Sequence, residues 1–364
     1  MDDSDLGDIA RQLSDLEVAL LLSLVANEHC LFETTGGSID DLAKELALIC
    51  SSTFDLSYCI LDCSLTTSIE DIHFEILTAE ARKSHERPSY FRLKTGSSNN
   101  LSSYVTPTER DRSRSPGPKT PGDEGNVVNV IIAKNLNMTS DDFQVQMLQL
   151  TRARKLATES GVLYTPASFT LLPIVVRDGD QLDPPLKTHL NEHLFVSHFH
   201  DPADGYVYLE NDRGLSDDHI SVSSVIRKPN PLQKSAKVDR TIIDRLREMS
   251  ATVTTNAEVV CYIQDIVVFL RLSRAVGGGI SAKANNQLNK FARLLAPLHG
   301  IDYLTPSIVA LAARKVFRHR IIVTTPRDDR SLQYGSDMGA VSHVLVHVTP
   351  DSILDGVLAL EPPI

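Results

Sequence analysis

Residues 291–322 read FARLLAPLHGIDYLTPSIVALAARKVFRHRII, and this stretch sets the architecture around it. It divides into two helices joined by a short polar turn. In the first, Leu288, Phe291, Leu295 and Leu298 recur at helical spacing and make one apolar face. Gly300 follows, and glycine closes a helix in the left-handed conformation at least cost. Thr305 and Pro306 open the second helix. The threonine hydroxyl can accept from an orphan amide, and proline suits the first turn because it has no N–H there. Ile308, Val309, Ala312 and Val316 then form a buried stripe. The helix ends in Arg314, Lys315, Arg318, His319 and Arg320, where positive charge is favoured by the helix dipole.

The string YLTPSIVALAARKVFRHRI, residues 303–321, resembles the helical lid of the AAA+ ATPases of the magnesium chelatase and MoxR group, in which a helix pair ends in a comparable segment. The resemblance implies an α/β, P-loop NTPase-like (AAA+) core ahead of an all-α lid. For an active member it also implies ATP and Mg²⁺ as cofactors, and a neighbouring subunit that completes the site. The activity of that family is ATP-driven insertion of Mg²⁺ into protoporphyrin.

The upstream chain supplies the pieces such a core needs, in order. Residues 5–26 carry a helical pattern, and His29 to Glu33 make a short apolar run. The polar turn Thr34-Thr35-Gly36-Gly37-Ser38 follows, then a helix from Ile39 to Ile49 with Leu42, Leu46 and Ile49 on one face. Leu56 to Leu61 reads as another buried strand. Strand, glycine turn, helix, strand is the unit in which phosphate-binding loops occur.

A working loop of that kind needs G-x-x-x-x-G-K-[ST], with the lysine on the β- and γ-phosphates and the hydroxyl on Mg²⁺. The chain contains no Gly-Lys pair. Gly36, Gly37 and Ser38 are the remnants of a nucleotide-binding turn, followed at once by Asp40 and Asp41. Two carboxylates there occupy the positive helix pole that a phosphate wants. The plainer reading is a helix start with Ser38 as its N-cap.

The other parts of the implied site are altered as well. Val127 to Ile132 suits a central parallel strand, but it leads into Ala133-Lys134-Asn135 where the family carries a metal-holding Asp-Glu pair. Phe143 to Leu156 matches the helix after that strand. Gly161 to Val176 matches the hairpin-like stretch and next core strand, which is followed by Arg177-Asp178 instead of a polar sensor. Leu186 to His200 corresponds to the segment that supplies an arginine finger, and has His193 in the arginine's place; a histidine is no substitute for a permanently charged fork. Arg271 and Arg274 stand where the family's lid presents an arginine to the nucleotide, the one functional position that matches by residue type. Gly277-Gly278-Gly279 breaks the helix after them.

Taken on its own, the segment 186–204 is rich in metal-ligating side chains. His189 and His193 are four apart, on one face if helical, with His198, His200, Asp201 and Asp204 beyond. Histidines so spaced with a third ligand build zinc sites, but the glutamate precedes the second histidine and H-E-x-x-H is not met. A polar inter-subunit surface is the competing reading. Cys59 and Cys63 have no second pair and read as small buried residues of a strand and its end.

Residues 83–126 are nearly free of apolar side chains after Tyr104 and carry eight Lys/Arg against five Asp/Glu, which predicts a disordered insertion. Thr106, Ser115 and Thr120 each precede proline and are candidates for proline-directed phosphorylation, which would turn a basic loop acidic.

The whole chain has 364 residues and net charge -11, enough for two domains and a poor match to a general nucleic-acid binder. No apolar run reaches the ~20 residues needed to span a bilayer, and five cysteines suggest reduced thiols in a cytoplasmic or nuclear setting. The expected organisation is the first part of the core over 1–82, the insertion over 83–126, the second part over 127–204, a connecting loop over 205–240, the lid over 241–322 and an extension over 323–364.

The reading favoured by the residues is a non-catalytic AAA+-like subunit without a cofactor, which assembles with itself or with an intact AAA+ subunit. The rivals are an active magnesium chelatase-type ATPase with a divergent site that uses ATP and Mg²⁺, and a phospho-regulated interaction scaffold.

Overall fold

The computed structural model describes residues 11–78, 127–158, 161–179, 182–213 and 237–359. The insertion predicted over 83–126, with Thr106, Ser115 and Thr120, lies outside the described residues.

A five-stranded parallel sheet organises the core. Its strands are β1 (His29–Thr34), β2 (Tyr58–Asp62), β3 (Val130–Lys134), β6 (Thr170–Val176) and β7 (Leu194–Phe199), in the order β2-β3-β6-β1-β7. Between β3 and β6 comes the antiparallel hairpin β4 (Lys155–Thr158) and β5 (Gly161–Tyr164). Register is set by apolar residues on both faces, as a doubly covered parallel sheet requires: Cys59 stands opposite Ile131, Ile132 opposite Leu172, and Phe32 opposite Ile174.

One face, with Phe32, Ile132 and Ile174, packs on α1 (Asp15–Ala26), α2 (Ile39–Ser52) and the C-terminal helices. The other, with Leu31, Ile131 and Val175, packs on α3 (Ile69–Ile72), α4 (Asp141–Ala153) and the β4–β5 hairpin. Helix α1 is buried nearly all round, which follows from its position between the sheet and the later helices and explains its lack of a polar face.

Strand boundaries moved where pairing overrode local pattern. The central strand runs over Val130–Lys134 rather than 127–132, because Tyr58 to Asp62 pair with Val130 to Lys134 residue by residue. The segment read as one helical face at His189 and His193 is a single turn, α5 (Thr188–Asn191), and His193 lies beyond it at the start of β7, which completes the sheet beside β1. A short helix, α6 (Val207–Arg213), stands in the predicted connecting loop.

The organising stretch folds as read. α7 (Arg240–Thr252), α8 (Ala257–Leu272), α9 (Ala282–Leu298) and α10 (Pro306–Phe317) make up the helical region that follows the core. Gly300 has φ +70°, Thr305 accepts from the amide of Ile308, and Ile308, Val309, Ala312 and Val316 are buried. The lid is not wholly helical: Val276–Gly278 forms β8, paired antiparallel with β9 (Ile322–Val323), so two of the three glycines belong to a strand. At Gly279, with φ +94°, a Cβ would overlap the Arg320 carbonyl oxygen, so only glycine fits. Two further helices follow, α11 (Met338–Leu345) and α12 (Pro350–Leu358), the latter capped by Thr349.

Candidate functional site

In a parallel α/β sheet, ligands settle outside the carboxyl ends of the strands. Here those ends are Thr34, Asp62, Lys134, Val176 and Phe199. The β1–α2 connection spans only Thr35 to Ser38, and neither Gly36 nor Gly37 adopts positive φ or approaches another atom closely. A phosphate nest needs successive amides turned toward one point, usually with left-handed glycines. This turn lacks that form.

The Gly36 amide instead donates to the Asp178 carboxylate at 3.3 Å, so an acid of the chain takes one N–H of the turn. Ser38 stands at the N-cap position, but its hydroxyl makes no cap bond and lies 3.3 Å from the Thr35 hydroxyl. The predicted serine cap is therefore corrected. The backbone of Ser38 has ψ 1°, outside the extended region from which a cap side chain reaches back.

Charge at the site is reversed relative to an active nucleotide loop. Lys134, last residue of β3, donates to Asp40 at 2.7 Å and to Asp62 at 2.9 Å. Burial acts to lower the Lys134 pKa, and the two carboxylate hydrogen bonds outweigh it and leave it raised. Asp40 is held below its ordinary value by the same lysine. An active site would place the ammonium on the loop side and the carboxylate at the strand end; this chain has the two the other way round.

Internal pairs line the rest of the crevice, where a cavity of about 630 Å³ is bordered by Glu33, Arg177 and Arg318. Glu33, buried on β1, accepts from Arg318 of the lid at 2.5 Å and lies 3.4 Å from Arg177. Burial raises the Glu33 pKa, against the pull of Arg318. Arg177 lies 4.3 Å above the Phe199 ring. His200 stacks beside Tyr206, whose hydroxyl donates to the Ser38 carbonyl at 3.4 Å.

The basic end of α10, expected to sit against the helix dipole, does something more specific. Arg320 is 2% exposed and donates to the carbonyls of Val316, Leu194 and Phe195 and to Gln287. His319 contacts the Leu194 carbonyl at 3.1 Å, and Arg318 also grips Asp351 at 2.9 Å. Together they fasten the lid to the first residues of β7 and to β1.

Among the residues read as remnants of a nucleotide site, Gly36, Gly37 and Ser38 share the turn. Arg271 donates to the Ile280 carbonyl at 3.0 Å, and Arg274 binds Asp329 at 2.8 Å and the Ser331 hydroxyl at 2.9 Å. Their hydrogen bonds are thus made within the C-terminal region. The hydrogen bond to Arg274, with that of Ser331, holds Asp329 down to about 2.

The four histidines part company. His189 is exposed, His193 meets Lys283 at 2.8 Å, His198 meets Lys315 at 3.3 Å, and His200 faces Tyr206. Among the described residues no group of three or more His, Cys, Asp or Glu is placed to hold a metal. Cys59 and Cys63 are buried, and no helix among the described residues is long and apolar enough to cross a membrane. Sequence reasoning missed Glu33, Lys283 and the pairing of Lys134. The available signal was a charged residue at four strand ends, Glu33, Asp62, Lys134 and Arg177.

Comparison with known proteins bears on the fold. The AAA lid domain family matches residues 269–337. A crystal structure of a Cytophaga hutchinsonii protein named "putative ATPase" superposes with TM-score 0.60 at 14% identity, covering 99% of this chain and 94% of that one. No curated protein matches the sequence. The fold is of AAA+ type, an α/β core followed by a lid.

Proposed function

We propose that this chain is a non-catalytic AAA+-like protein resembling the magnesium chelatase ATPase subunit, acting as an assembly or regulatory subunit. The observation that carries the reading is the reversed charge at the carboxyl end of the sheet. Asp40 stands at the helix pole that would receive phosphate, and Lys134 stands where a metal-holding acid would be. Asp178 on the Gly36 amide adds a second negative group in the same place. A triphosphate entering here would meet carboxylates at a helix N-terminus that otherwise attracts anions.

Assembly is the function left to such a chain, with itself or with an intact AAA+ subunit. Val268, Phe269 and Leu272 of α8 expose 44%, 45% and 68% of their surface and give the lid an apolar outer edge suited to a neighbour.

The decisive measurement is an ATP titration of the purified chain with and without Mg²⁺. Binding no tighter than ~1 mM, worth about 4 kcal/mol, is expected. Micromolar affinity would defeat the proposal and restore the active ATPase. Sedimentation over a range of concentrations, alone and with an intact AAA+ subunit, tests assembly; a persistent monomer that ignores the partner removes that part.

A further inference from the structure

A cavity lies away from the Lys134 site, between α1, β7, α9 and α10, with a volume of about 530 Å³. That is within the range of small-molecule pockets. Its walls are apolar: Leu22, Val196, Phe291 and Leu295 are buried around it, and Leu311 stands near its mouth at 40% exposure. Arg11 and Asp15, also in the lining, are of opposite sign.

The charge left over is Lys315. Its ammonium has one hydrogen-bond partner, Nδ1 of His198 at 3.3 Å, and among the described residues no carboxylate lies within ion-pair distance. Burial drives His198 down to about 3, with Lys315 adding to the shift, so the imidazole is neutral and accepts from the ammonium. Burial also lowers the Lys315 pKa. Asp15 in the lining and Glu33 act on Lys315 only through space, so among the described residues its ammonium has no carboxylate in direct contact, and such charges are ordinarily paired.

We propose that this cavity binds a small monocarboxylate with an apolar body, whose carboxylate pairs with Lys315 and whose body lies along Leu22, Phe291 and Leu295. One carboxylate would give the Lys315 ammonium a direct anionic partner, while Asp15 in the same lining opposes a second negative charge. This inference is independent of whether the strand-end site binds ATP.

The test uses the full chain and sodium decanoate, kept below its micelle concentration, with heat of binding as the readout. Saturable one-to-one binding is expected, with decanol weaker by about tenfold or more because it cannot form the ion pair. Lys315→Met should erase that preference. Leu311→Trp, at a partly exposed position, should block decanoate while leaving the melting temperature within about 2 °C, and it carries the test if Lys315→Met fails to fold. Absent binding, equal binding of decanol, or unchanged binding by Leu311→Trp would each overturn the proposal.

Discussion

The carboxyl end of the core sheet and the basic end of α10 both carry clustered charge, and they use it in opposite ways. At the sheet end, Lys134 pairs with Asp40 and Asp62, both well exposed, and either carboxylate could be changed with little effect on packing. At the end of α10, Arg320 is buried, and both it and His319 bond to strand carbonyls. The segment with the strongest family resemblance is therefore the one that holds the fold together, while the segment that would do chemistry is occupied by ion pairs of the chain. Resemblance of a lid reports packing, and it says little about phosphate.

The sharpest way to break this contrast is Arg320→Ala. Removing the guanidinium takes a buried donor from the Leu194, Phe195 and Val316 carbonyls and from Gln287 and leaves a void, so unfolding free energy should fall by about 3–5 kcal/mol. A loss below ~1 kcal/mol in denaturant titration would show that the lid is fastened elsewhere.

Acid should expose the same asymmetry. His29 accepts the Leu171 amide through Nδ1 and is driven down to about 3 by burial, then by Arg154; His198 is likewise near 3. Their pKa values are lower folded than unfolded, so the unfolded chain binds more protons between about 6.5 and 3. Stability is therefore complete above about 6.5 and lost as pH falls. From pH 7 to 5 each should contribute a loss of about 2 kcal/mol. A flat stability profile over that range would contradict the buried, neutral state of both rings.

Next in size is Gly279→Ala, where the left-handed backbone and the Arg320 carbonyl leave no room for a methyl group; a loss of about 1–3 kcal/mol is expected in thermal unfolding. Smallest is Lys134→Met. Its partners are solvent-exposed, so the change should cost under ~1 kcal/mol, and ATP binding should stay absent. A variant that gained micromolar ATP binding would mean that the lysine alone blocks the site.

Much of the lid was legible because its signals are local. Thr305 caps the helix that it begins, and Gly300 takes the left-handed turn that its place after Leu298 requires. The core was legible in order but not in extent. Val127 and Val128 look like strand residues, yet pairing with Tyr58 to Asp62 begins at Val130. The His193 to His200 run was read for its ligands, when Leu194 to Phe199 form the edge strand beside β1; its alternation was hidden by the histidines.

By itself the sequence determined that helices and strands alternate as an α/β core and a lid, since periodicity and capping act over a few residues. It also determined that the chain holds no Gly-Lys pair, which is a matter of local sequence. The tertiary structure alone decided which charges meet. Asp40 and Lys134 are 94 residues apart and Glu33 and Arg318 are 285 apart, and an ion pair depends on distance in space. The same holds for Lys315, whose isolation among apolar walls exists only once four separate elements have closed around it.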